Sequence, residues 1–325
     1  MKIPKYLSNT SVQLFYSDRM EFYLKYLADN RPPRMPQTQP MSVGSAFDAY
    51  VKSYIVERLV GVGGRPEFER EKIFETQVEP HLRDWARIAG QHAFDAYKLS
   101  GALADLMLEL EQAEAEPRFE FTVQRTISGI PLLGKPDIWF VTREGMHVLI
   151  DWKVNGYCSR SAVSPKAGYI MCMDGWKDNH SRTHRRPHKN AQVMKVGGLM
   201  INAAIFLETV DKTWADQTSL YGWLMGEEIG GRFITGIDQL VAGVGDPPPI
   251  RVARHRCRVS AQYQQELWEK IKHVWETIHS GHIFDDLPLG ESLTRQETLD
   301  NYHKAFEGGS PNEEWYQSIM RQHRF

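Results

Sequence analysis

Asp137, Asp151 and Lys153 are the residues whose types and spacing could do chemistry. Asp137 follows Pro136 at the head of the apolar run Ile-Trp-Phe-Val, and a second apolar run ends in Asp151-Trp152-Lys153. Side chains alternate between the faces of a strand, so Asp151 and Lys153 project to one side with Trp152 opposite. Two carboxylates and an ammonium at one sheet edge are expensive to hold together unless they bind a metal or a charged substrate. That combination points to metal-assisted phosphodiester chemistry.

The elements that must position these residues follow from periodicity. Val12, Phe15, Tyr16, Met20, Tyr23 and Leu27 recur at helical spacing behind Ser8 or Ser11 as N-caps. After the Pro-rich stretch 31–40, a second helix is expected from about Gly44, with a stripe of Phe47, Val51, Tyr54, Ile55 and Leu59. Asp48 lies near the edge of that stripe, either as a capping or ion-pair residue or pointing into a site. Residues 65–116 read as a helical insert beside the core, without candidate chemistry. Three strands then follow as an antiparallel meander, the first carrying Glu120, which is either a further ligand, an outer contact or a plain surface carboxylate. Residues 155–190 read as a long polar loop, and 191–210 as a hairpin around Gly197-Gly198. A helix capped by Asp211 or Thr213 brings Gln217 and Tyr221 one turn apart. Two strands, 232–244 and 250–259, and a helix over 261–280 complete a single domain over 1–284. A polar extension, 285–325, follows.

Net charge is −2 over 325 residues, so nothing global announces a polyanion partner, but the local picture differs. Residues 177–189 carry five Lys or Arg and three His, among them Arg182, Arg185, Arg186 and Lys189. They form either a solvated loop or a surface for DNA phosphates. Arg254, Arg256 and Arg258 alternate with Ala253, His255 and Cys257, so one strand face is expected to pack while the other offers guanidinium groups to DNA. The start of the chain lacks a charged-then-apolar leader, and no run of about 18 apolar residues is long enough to span a bilayer. With three scattered cysteines, this fits a cytoplasmic, non-membrane protein of a bacterial or phage-infected cell. A Walker A pattern is absent, which excludes an ATP-driven motor within this sequence.

Taken in order, Ser11 to Tyr26, Gly44-Ser-Ala-Phe-Asp48, Gly134-Lys-Pro-Asp137, Asp151-Trp-Lys153 and Gln217-Thr-Ser-Leu-Tyr221 resemble the PD-(D/E)XK nuclease superfamily, in its RecB-like exonuclease branch. The likeness runs over about residues 6–280, broken by the helical insert and the basic loop. It implies an α/β, restriction-endonuclease-like core, a mixed central sheet flanked by helices. The implied activity is a stand-alone, phage-type deoxyribonuclease, an exonuclease acting on single- or double-stranded ends in recombination or repair, alongside a recombination or single-strand-annealing partner. Asp137 and Asp151, with the Trp152 carbonyl and Glu120 or Asp48 as further candidates, would hold one or two Mg²⁺ or Mn²⁺ ions. Lys153 would orient water or neutralise the oxyanion, assisted by Gln217 and Tyr221. Oligomeric state is not fixed by the resemblance.

Two departures qualify this. Many relatives carry His where Asp48 stands, and the four cysteines of the iron–sulfur members are missing, so no such cluster is expected. His180, His184 and His188 near Cys172 suggest zinc, but Arg185-Arg186-Pro187 would break the helix needed to align them. The competing classes are a non-catalytic DNA-end-binding module of the same fold and a structure-specific endonuclease.

Overall fold

A computed structural model describes residues 1–29, 31, 35–161, 163–175 and 185–287. They fall into two compact units, one of Met1–Met35, Val123–Gly134 and the chain from Gln265 onward, the other of Pro36–Thr122 and Lys135–Gln264. In chain order the helices are α1 (Asn9–Ser17), α2 (Arg19–Phe22), α3 (Gln39–Val60), α4 (Arg70–Gln77), α5 (Arg83–Leu99), α6 (Ala102–Glu111), α7 (Leu207–Val210), α8 (Lys212–Leu224) and α9 (Ala261–Ser280). The strands are β1 (Arg118–Phe119), β2 (Val123–Ile127), β3 (Ile130–Gly134), β4 (Ile138–Val141), β5 (His147–Asn155), β6 (Met171–Asp174), β7 (Val193–Val196), β8 (Leu199–Asn202), β9 (Ile234–Ala242) and β10 (Ile250–Cys257).

The first unit holds α1, α2 and the β2–β3 hairpin. Ser8 caps α1 through a reciprocal pair with Ser11, each side chain bonding the other's backbone N–H, which satisfies two of the free donors at the helix start. The helix pattern expected through Leu27 is interrupted at Asp18, whose side chain restarts the chain as α2 by accepting from the Glu21 N–H, and it then runs on as a π-helical turn, Tyr23–Leu27.

The second unit carries a six-stranded sheet in the order β1-β4-β5-β9-β10-β6. All its neighbours are antiparallel except β5 and β9, which run parallel, so the sheet is mixed, as expected. A parallel neighbour needs a crossover, and here the chain between them passes through β6, the β7–β8 hairpin, α7 and α8. The hairpin expected around Gly197-Gly198 is present as β7 and β8.

Helices α3, α5 and α6 pack with the sheet in one core that includes Phe47, Val51, Tyr97, Leu106, Ile150 and Val252. Gly90 of α5 lets α3 come close, since a Cβ there would lie 2.4 Å from the Cβ of Ala46.

Several expectations change. Helix α3 starts at Gln39, five residues before Gly44, because Pro40 sits in its first turn, where no backbone donor is missed. The three-strand meander does not form. Glu120 adopts a left-handed backbone (φ 40°) that ends β1 after two residues, and Val123 onward pairs with β3 in the first unit. The polar stretch 155–190 contains β6, which pairs with β10 at the sheet edge. Among the described residues no helix is long and apolar enough to cross a membrane.

Candidate active site

Strands β4 and β5 bring the two aspartates together. Their antiparallel register sets Ile138 opposite Ile150. Continued by two residues, it would place Pro136 opposite Trp152. Proline has no N–H to give, so the ladder stops there. The Trp152 N–H instead donates to Asp137 Oδ2 at 3.1 Å. In an extended strand a residue's N–H and C=O point to the same edge, so the Trp152 carbonyl faces the Asp137 side as well. On the other side of β4, the Glu120 N–H donates to the Asp137 carbonyl at 3.0 Å. That bond and the left-handed turn bring the Glu120 carboxylate beside Asp137.

Asp151 and Lys153 share a face of β5, as alternation requires. Lys153 Nζ lies 2.5 Å from Asp151 Oδ2 and donates to Gln217 Oε1 at 2.8 Å. The Gln217 amide in turn donates to Asp151 Oδ1 at 3.1 Å and to the Tyr221 hydroxyl at 3.0 Å. Helix α8 supplies both residues from one face, and Asp211 fixes its start by accepting from the Trp214 N–H. Asp137, Asp151, Trp152, Lys153 and Gln217 line a cavity of about 290 Å³ with Asp48, Gln77 and Lys135.

Asp48 is an ion-pair residue, with Lys52, and also lines this cavity, while Glu120 is partly buried against Lys52 and Gln77 and is no plain surface carboxylate. Their neighbours were not visible in the sequence. Lys52, one turn after Asp48 on α3, is only 1 % exposed. Its ammonium lies 2.7 Å from Asp48, 3.0 Å from Asp137 and 3.3 Å from Glu120. Gln77, at the end of α4 in the insert read as chemically silent, donates to Asp48 at 3.1 Å and to Glu120 at 2.9 Å. Lys135 pairs with Glu120 from outside. An i,i+4 Asp–Lys pair inside an apolar stripe was the available signal for Lys52. Gln77 had none.

Burial sets the electrostatics. It pushes the Asp151 carboxyl up to about 7 against the pull of Lys153, with Asp137 adding to the rise. It likewise pushes Asp48 up to about 7 against the pull of Lys52. Burial acts to raise Asp137 too, but Lys52, Lys153 and the Trp152 N–H outweigh it and hold this carboxyl below its usual range. For Lys52, desolvation favours the neutral amine, yet the carboxylates of Asp137, Asp48 and Glu120 prevail and raise it. Burial raises the Tyr221 hydroxyl, which stays protonated.

The donor set suits a hard divalent cation at Asp137, Asp151 and the Trp152 carbonyl, all oxygen ligands. Asp151 Oδ2 is enclosed and makes no aligned hydrogen bond despite its contact with Lys153, so it has a lone pair to offer. Among the described residues no group of three or more His, Cys, Asp or Glu side chains is arranged to hold a metal ion, so a cation here would rest on two carboxylates and a carbonyl. The carboxylates of Asp48, Glu120 and Asp137 converge on Lys52 instead.

The arginine face does not lie at a surface. Arg254 is 3 % and Arg256 0 % exposed. Arg256 donates to Asp238 at 2.7 Å, and Arg254 to Glu109 at 2.9 Å. Both faces of β10 are covered, so alternation here separates two packed sides. Gly236 makes room, as a Cβ there would come within 2.9 Å of the Arg256 guanidinium. Arg258 is half-buried beyond the strand. Arg185 pairs with Asp105 at 3.5 Å, while Arg186 and Lys189 are exposed. Arg182, His180 and His184 lie outside the described residues. His188 stacks edge-on against Tyr169, and Cys172 is buried in β6.

No family model matches the chain, and no curated protein matches it either.

Proposed function

We propose that the chain is a metal-dependent deoxyribonuclease with a restriction-endonuclease-like core of the PD-(D/E)XK type, cutting DNA from its ends in recombination or repair. The observation that carries this reading is the convergence of Asp137, Asp151, Lys153 and Gln217 on one cavity, with Tyr221 behind it holding Gln217. A bound Mg²⁺ or Mn²⁺ would supply Lewis-acid polarisation of the scissile phosphate.

The protein's own groups prepare the rest. Lys153 is held between Asp151 and Gln217, with its pKa raised by the carboxylates despite burial, so it remains an ammonium. From there it can neutralise charge growing on a phosphate oxygen. Gln217 fixes both partners of that ion pair and is itself fixed by Tyr221. Grip on the DNA backbone falls to exposed cations such as Arg186 and Lys189, since Arg254 and Arg256 are taken up internally.

Incubation of the purified chain with Mg²⁺ or Mn²⁺ and end-labelled linear or closed circular DNA tests the reading. Linear DNA should be degraded and circles spared. Asp151→Asn should lower the rate at least about a thousandfold while DNA affinity is kept, because the loss falls on the transition state alone. Absence of cleavage on every substrate would leave the non-catalytic, end-binding alternative.

A further inference from the structure

Four carboxylates belong to the candidate site, and a single buried lysine, Lys52, serves three of them. The Lys52 ammonium sits within 3.3 Å of Asp48, Glu120 and Asp137, reached from inside the protein along α3. Gln77 bridges Asp48 and Glu120 from the far side and closes the cradle. A divalent ion entering this cradle would have to expel a buried ammonium or sit against it, and like charges at such separation repel strongly at low dielectric. The opposite side of Asp137 differs. There Asp137 Oδ2 and Asp151 Oδ2 lie on the Trp152 carbonyl side of β5, and the ammonium beside them, Lys153 at 2.5 Å from Asp151 Oδ2, is a quarter exposed and can swing aside, whereas the Lys52 side chain is 2 % exposed and cannot.

We propose that Lys52 is a resident cation occupying one of two cation positions in this cluster, so that the site takes a single divalent ion, at Asp137, Asp151 and the Trp152 carbonyl. The inference rests on the metal-dependent reading above and fixes the number of ions it requires. Lys52 is a positioning residue. It holds Asp137 through Oδ1 and leaves Oδ2 turned toward β5.

Mn²⁺ titration followed by EPR and by calorimetry tests this without turnover, with Asp151→Asn defining the background of unrelated surface ions. The wild-type chain should bind one Mn²⁺ above that background, and Lys52→Met should bind two. Should Lys52→Met not fold, Lys52→Gln carries the same comparison, since its amide can still donate to the carboxylates without the charge. Two ions in the wild type would overturn this inference and leave the nuclease reading intact. One ion in a folded Lys52→Met or Lys52→Gln chain would overturn the role of Lys52. No ion above background in the wild type would overturn the metal-dependent reading together with it.

Discussion

Asp151 holds its proton to about 7 because burial and the neighbouring Asp137 carboxylate disfavour its charge. In the unfolded chain it releases that proton near 3.8. The folded state therefore binds the extra proton between those values. The stability this contributes is full at the acid end and is lost as pH rises toward 7. His255 runs the other way, since burial pushes it down to about 3 and the folded chain resists its protonation. Comparison with Asp151→Asn cancels that term. In metal-free buffer, the Tm of the wild type relative to Asp151→Asn should fall between about pH 4 and about pH 7 and level off above it. A constant difference would show that Asp151 is not perturbed. At this scale the candidate site residues were legible where their placement is local. Alternation set Asp151 and Lys153 on one face, and helical spacing set Gln217 beside Tyr221. Lys52 was legible only as the i,i+4 partner of Asp48, and Gln77 not at all, because Asp137 and Glu120, which draw them into the site, lie 85 and 43 residues away along the chain.

Strand β10 shows where pattern alone falls short for an element. Its alternation of arginine with small or apolar residues is real, but alternation cannot tell a wet face from one covered by charged partners. Asp238 on β9 and Glu109 on α6 complete the arginines, and Tyr97 of α5 joins the network through Asp238. The same tyrosine hydroxyl accepts from the Trp152 indole at 3.4 Å, which ties this polar layer to the strand carrying Asp151. Removing one partner from a buried pair strands the other charge. Arg256→Ala should lower stability by about 3–5 kcal/mol in urea unfolding. DNA affinity per folded molecule should be unchanged. A stable variant with weakened, less salt-dependent binding would return Arg256 to the DNA surface. Element types were recovered well where periodicity was sustained, as in α8, α9, β5, β9 and the β7–β8 hairpin. The meander was missed where Glu120 redirects the chain after β1, and the start of α3, rightly read as a helix, was set five residues late at Pro40.

At the scale of the molecule, the second unit is assembled from two long segments, and the β2–β3 hairpin between them belongs to the first. Every group proposed to hold the metal, on β5 and the approach to β4, and Lys52 of α3, which positions Asp137, lie in the second unit. Mn²⁺ should therefore slow amide hydrogen exchange around Ala46–Lys52 and Asp151–Lys153. The Val123–Ile127 strand should keep its metal-free rate. Equal protection of both units would show that the ion acts on the fold as a whole. Lys52 bears on how such a chain comes into being. An acidic cluster balanced only by a captured ion has to wait for that ion before it can close. Here translation itself delivers the counter-charge, four residues after Asp48 on the same helix. On the one-ion reading, folding is complete before any metal arrives, and the cell's metal supply governs turnover without governing how much folded protein there is.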